Sequence, residues 1–324
     1  MKEEKILAIP SNRLQFFPIM MFATIMGLCG LTLVFEKLYE DFTFPRFISQ
    51  TLFILTVVLF FIILITYILK IFKYKQEVIK ELNHPIRVNF FATFSISMLL
   101  ISLGFKSLSI DISIIFFYCG AIFHTIFTFY TIKFWINNDL EIIHSNPAWF
   151  IPIVGNLIIP IAGVGYLDNS ILYFSFSIGI FFWIVLFAII LNRIIFNKQF
   201  APKFMPTMFI LIAPPSIGFL SYIKLASSLD FFAHILFNLG IFFTILVFVM
   251  YKKFLKIEFF ISWWAFTFPM AAVTLSSILM YDLTKNSTYI YLSYLLAFIT
   301  TAIVLIVAYK TIFHMLKKEI CIME

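Results

Sequence analysis

Cutting this 324-residue chain at its charged residues leaves ten charge-free segments of 18 or more residues: 14–35, 47–69, 88–105, 112–132, 142–167, 169–192, 204–223, 231–251, 259–281 and 286–309. Each is long enough to cross a hydrocarbon core of roughly 30 Å as a helix. A bilayer offers no water to an open backbone, so spanning structures are helices or closed barrels. Continuous apolar runs of this length predict helices. The expected fold is all-α integral membrane, a single ten-helix domain over residues 1–324 built from helical hairpins. Composition agrees: 62% of residues are hydrophobic, 12% are charged, and the mean hydropathy is +1.04. Residues 1–13 are largely polar and the first apolar segment can stay as an anchor, so no cleaved leader is expected. No connecting segment is long enough for a soluble catalytic domain.

The charges give the segments a direction. Lys and Arg on the N-terminus, on the loops after even segments and on the C-terminus number 18, against 5 on the loops after odd segments (Lys37, Arg46, Lys106, Lys224 and Lys285). Basic residues stay on the cytoplasmic side. Both termini are therefore expected to be cytoplasmic, and every odd helix runs outward. Five parallel helices then point their positive dipole ends at the cytoplasmic mouth, which favours anions there. These basic residues are spread over short juxtamembrane loops, so anionic lipid heads of the bilayer, not nucleic acid, are their default partner.

Proline divides the segments into two classes. Pro18 is on segment 1, Pro147, Pro152 and Pro160 on segment 5, Pro206, Pro214 and Pro215 on segment 7, and Pro269 on segment 9. Segments 2, 4, 6, 8 and 10 have none, and Pro85 just precedes segment 3. A proline removes one helical hydrogen bond and frees a carbonyl, which is tolerated in a membrane only where protein or water covers it. The odd helices are thus expected inside, around a path. The even ones are expected outside, against lipid. Pro18, Pro152, Pro206, Pro214 and Pro269 are the candidate helix breaks lining that path.

The missing chemistry is equally informative. No Asp, Glu, Lys or Arg falls inside a segment, whereas transporters coupled to protons or sodium usually bury an acid or histidine at mid-membrane. His124 and His234 are on even segments and His144 is in the first turn of segment 5. Packing or interfacial roles are favoured for all three. Cys29, Cys119 and Cys321 are far apart, so neither a disulfide framework nor a metal site is indicated. No nucleophile set or phosphate-binding glycine loop is present, so an enzyme and a cofactor are not expected. A path without fixed charge suits weak binding and fast passage.

Several local stretches carry a family resemblance. They are His84-Pro85-Ile86-Arg87-Val88-Asn89-Phe90-Phe91, Asn146-Pro147, Met205-Pro206-Thr207, Ala213-Pro214-Pro215-Ser216 and Trp263-Trp264-Ala265-Phe266-Thr267-Phe268-Pro269-Met270. In order and spacing, across nearly the whole chain, these resemble the tellurite-resistance/dicarboxylate transporter family, which includes bacterial TehA and the slow anion channels of plant guard cells. The resemblance implies a homotrimer of independent pores, each with five inner odd helices and five outer even ones. It implies a channel for small inorganic or organic anions in the bacterial inner membrane, blocked by a phenylalanine on helix 9. The motif puts that pore gate at Phe268, next to Pro269. Phe266, two residues away, points elsewhere at 3.6 residues per turn and is expected to pack. The alternatives are a proton-coupled or exchange transporter of dicarboxylates or oxyanions such as sulfite and tellurite, and a membrane scaffold without transport.

Overall fold

The computed structural model describes residues 13–322. Nearly all of that length is helix. Among the described residues nine helices are long and apolar enough to cross a membrane. In chain order, with the shorter fifth included, they are α1 (Ile19–Phe42), α2 (Arg46–Lys73), α3 (Arg87–Phe105), α4 (Ile110–Asn137), α5 (Pro147–Gly163), α6 (Asn169–Phe196), α7 (Pro202–Ala226), α8 (Phe231–Val249), α9 (Ile261–Thr284) and α10 (Ser287–Leu316). The fifth segment is shorter than its apolar run 142–167 suggests. Its beginning folds as a separate turn, Ile142–His144, and its end as a turn through Gly165 at φ 90°.

Odd and even helices differ as the prolines lead one to expect. In α1, α3, α7 and α9, 67–78% of the most apolar window is buried, against 28–39% in α2, α4, α6, α8 and α10. The odd helices form a closed ring: α1 packs on α3, α3 on α5, α5 on α7, α7 on α9, and α9 back on α1. Each even helix lies against the odd helix that precedes it. Its free face carries large apolar residues such as Ile65, Ile122, Phe181 and Phe298.

The odd helices also differ internally. Each starts as a 3₁₀ stretch and only later relaxes to α. The 3₁₀ parts are Ile19–Met21, Arg87–Phe91, Pro147–Phe150 (with a second at Gly155–Leu157), Pro202–Ile212 and Ile261–Phe266. The even helices carry no 3₁₀ part among the described residues. Most of the prolines mark this boundary and do not break the chain. Pro152, Pro160, Pro214, Pro215 and Pro269 each lie in the first turn of an α stretch that follows a 3₁₀ one. First-turn N–H groups have no partner within their own α-helix, so a missing one costs least there. Pro206 lies inside its 3₁₀ stretch, and Pro18 precedes the first one.

Polar side chains cover the carbonyls at these junctions. Thr24 donates to Met21 O, Thr93 to Phe90 O and Thr267 to Trp264 O, at 2.5–2.7 Å. Ser216 donates to Ile212 O at 2.8 Å. The Asn156 amide reaches Ile153 O at 3.0 Å, and Thr128 from α4 donates to Pro152 O at 2.8 Å. A buried carbonyl without such a donor would cost about 1–3 kcal/mol.

Candidate functional site

The five odd helices bound two chambers, the far one shared with the start of α2. The near chamber, at their N-terminal ends, is a cavity of about 50 Å³ lined by all five and by no even helix. On three of the helices wall residues recur every three positions: Met20, Ala23 and Met26 on α1, Phe90, Thr93 and Ile96 on α3, Ser262, Ala265 and Phe268 on α9. In a 3₁₀ helix residues i and i+3 eclipse, so one straight row faces the axis. Each row begins in a 3₁₀ start, at Met20, Phe90 and Ser262, and continues into α-helix, where residues three apart remain neighbours on one face. The polar side-chain groups of the wall are the hydroxyls of Thr93 and Ser262 and the indole N–H of Trp264, and the wall holds no charged residue. Both hydroxyls are spent on carbonyls, Thr93 on Phe90 O and Ser262 on Lys203 O.

Phe268 and Pro269 are part of that wall, and Phe268 remains half-buried. Pro18, Pro152, Pro206 and Pro214 are not in the wall of either chamber. Ile151 and Ala213, the residues before Pro152 and Pro214, are, so those two prolines lie directly behind the wall. Phe266 turns away into an aromatic cluster, 4.6 Å from Phe209 and 5.8 Å from Phe254 between ring centroids. The backbone under Phe268 is firmly held. Trp264 Nε1 donates to Thr311 on α10 at 2.9 Å, and Thr274 meets Thr300 at 2.9 Å. On the other side α9 presses against two glycines of α1. A Cβ on Gly27 would lie 2.1 Å from Thr267 Oγ1, and one on Gly30 would lie 2.7 Å from Ala271 Cβ and 3.5 Å from the Phe268 ring. Close helix approach through small residues is a general device of membrane bundles.

The far chamber, at the C-terminal ends, is larger, about 340 Å³, and also takes residues from every odd helix. That all five N-terminal halves meet at one chamber and all five C-terminal halves at the other makes the inner helices parallel. Charges appear here, among them Glu36, Arg46, Lys106 and Lys224.

The histidines fall where packing puts them. His124 is buried between α4 and α3, with Nδ1 2.9 Å from the Ser95 hydroxyl. His234 is exposed and His144 is partly buried in its turn. No group of three or more potential metal-ligating side chains occurs among the described residues. Sequence reasoning missed the carbonyl-capping residues Thr24, Thr93, Asn156, Ser216 and Thr267. Their signal is a hydroxyl or amide in an apolar inner span, just before or after a proline or an aromatic run.

Residues 16–312 match the SLAC1 family, described as voltage-dependent anion channel. The chain belongs to that family. It is 30% identical to an uncharacterized transporter of Methanocaldococcus jannaschii over 88% of this chain and 90% of that one. It is 27% identical to the S-type anion channel SLAH3 of Arabidopsis thaliana, over 92% of this chain and 48% of the plant protein. A tellurite resistance protein TehA homolog of Haemophilus influenzae is 24% identical over 79% of each chain. This SLAC1-family protein is thus a multi-pass membrane protein of an anion channel and transporter family.

Proposed function

We propose that this chain is a passive anion-selective channel whose path runs through the five inner helices and is closed by the Phe268 ring. One observation carries the reading: an uncharged chamber bounded by all five inner helices, with the half-buried Phe268 in its wall beside Pro269. An apolar constriction excludes water, and an ion that cannot keep its hydration does not pass. A ring at the 3₁₀-to-α junction can change rotamer without moving a charge. The chamber wall has no acid or histidine to carry a coupling proton, which disfavours a proton-coupled or exchange mechanism. In this reading the protomers assemble as homotrimers in the plasma membrane, the inner membrane of a bacterium. Each keeps its own path, and both termini are cytoplasmic.

Phe268→Ala tests it. Expressed in oocytes or reconstituted in bilayers, the variant should carry steady anion current tenfold or more above wild type, equivalent to about 1.4 kcal/mol or more off the closing free energy. Its reversal potential should follow the anion gradient and ignore the proton gradient. A silent variant that reaches the surface in normal amount overturns the gate. A reversal potential that moves with protons supports the exchanger.

A further inference from the structure

The far chamber holds four cations in its wall, and they are not alike. Lys37 meets Glu40 at 2.5 Å and Arg46 meets Glu36 at 3.4 Å. Asp282, the remaining acid of the wall, is taken by Lys285 at 3.5 Å. Lys106 and Lys224 have no carboxylate within ion-pair distance among the described residues. With Asp41 set beside Lys37 and Asp282, Lys106 and Lys224 remain the two cations of the wall without a carboxylate partner of their own.

Each lysine alone has an ordinary explanation. Lys106 caps the end of α3 and Lys224 is in the last turn of α7, where cations complement the negative helix terminus. That does not explain why both converge on one cavity. Burial, and then the charge of Lys224, push the Lys106 ammonium below the usual lysine range. Lys106 is also held in place. Its Nζ lies 4.9 Å from the centre of the Tyr166 ring. Tyr166 is fixed in turn by the Gly165 bend, by Ser113 Oγ at 2.9 Å from its hydroxyl, and by Tyr118, which donates to its carbonyl at 2.8 Å. A ring face holds an ammonium without neutralising it.

We propose that Lys106 and Lys224 form an anion-binding site in the far chamber that takes a small doubly charged oxyanion. A dianion matches the two uncompensated charges, relieves their mutual repulsion, and accepts hydrogen bonds from both ammonium groups. The chamber is wide enough for it to keep part of its water. On the channel reading the site is a station that concentrates anions at the wide end of the path. Only this consequence for flux rests on that reading, since the binding does not require conduction.

The test is equilibrium binding of radiolabelled sulfate to the purified full-length protein at low ionic strength. Wild type should bind at one saturable site. Lys106→Gln and Lys224→Gln should each weaken binding by about tenfold or more, since each removes a charge-assisted hydrogen bond. The double glutamine variant should lose it. The double arginine variant, which keeps both charges, should bind as wild type does. A melting curve on each preparation identifies misfolded variants; if the double variant is one, the single variants decide. No saturable binding by wild type overturns the site, and so does undiminished binding by folded glutamine variants. Chloride currents in the Phe268→Ala background separate the two readings. Sulfate binding without current leaves the site standing and removes the channel. Current with sulfate binding indifferent to the lysines does the opposite.

Discussion

The two halves of the five inner helices are built on different backbones. The N-terminal halves are 3₁₀ at their start, set their side chains in rows of three, and enclose a small uncharged chamber. The C-terminal halves are α-helical and open into a wider chamber with charge in its wall. A 3₁₀ helix is narrower and rises about 2.0 Å per residue, against 1.5 Å for α. It brings five backbones close together and keeps one row of side chains on the axis. Its hydrogen bonds are poorer and long runs are uncommon, yet Pro202–Ile212 holds eleven residues in this form. The even helices show the converse. Facing lipid, they have nothing to cover a freed carbonyl, and they stay α from end to end.

This contrast is sharpest if the prolines are moved. Ile122 is 58% exposed near the middle of α4. Ile122→Pro should cost about 3 kcal/mol or more and collapse the yield of folded protein in detergent gel filtration. Pro269→Ala, at a first-turn position, should leave that yield near wild type. Equal tolerance of both would show that inner and outer helices are not under different backbone constraints.

Close contact between α1 and α9 comes next in size. Gly27→Ala puts a Cβ 2.1 Å from Thr267 Oγ1. Overpacking of this kind costs about 1–3 kcal/mol, and the melting temperature should drop accordingly. Thr267→Val keeps the shape but strips the donor from Trp264 O. It should cost about 1 kcal/mol, the worth of one hydrogen bond. If the valine variant melts with wild type, water or a neighbouring group already serves that carbonyl.

Much of this was legible in the chain before folding. The ten charge-free runs predicted the helices, and the prolines sorted them into inner and outer. Pro85, outside segment 3, was enough to include α3 with the inner group. What a helical period of 3.6 could not show was the backbone change itself. Read at that period, Ser262, Ala265 and Phe268 spread over about 120° of the helix surface, whereas at three residues per turn they eclipse. The bond from Thr128 to Pro152 O was equally out of reach, because it joins residues 24 apart on different helices. The fifth span illustrates a further limit. Hydropathy continued over 142–167, but Asn146-Pro147 starts the helix anew: Asn146 Oδ1 accepts from the Ala148 N–H at 2.8 Å. The uncompensated lysines were visible only as five basic residues on the less basic side. Which of them lack an acid depends on how α1, α2, α3, α7 and α9 end in space.

The smallest expected effect concerns the entry to α3, on the near-chamber side. His84 Nδ1 accepts from the N–H groups of Ile86 and Arg87 at 3.1 and 3.2 Å, capping the 3₁₀ start of a helix that has no proline within it. Burial, then the charges of Arg87, Lys203 and His144, hold the His84 pKa below its ordinary 6.5. The folded protein therefore binds this proton less readily than the unfolded chain does. The stabilising contribution of His84 is complete above about pH 6.5 and is lost progressively as the pH falls below it. Protonation turns the acceptor into a donor and costs the cap, about 1 kcal/mol. His84→Asn keeps an acceptor near the Nδ1 position without a titrating group. Melting temperature measured from pH 8 to pH 5 should fall more for wild type than for His84→Asn. Parallel profiles would mean that the α3 entry is held by its packing and not by this cap. The inner helix without a proline of its own would then need no side-chain acceptor to keep its 3₁₀ start.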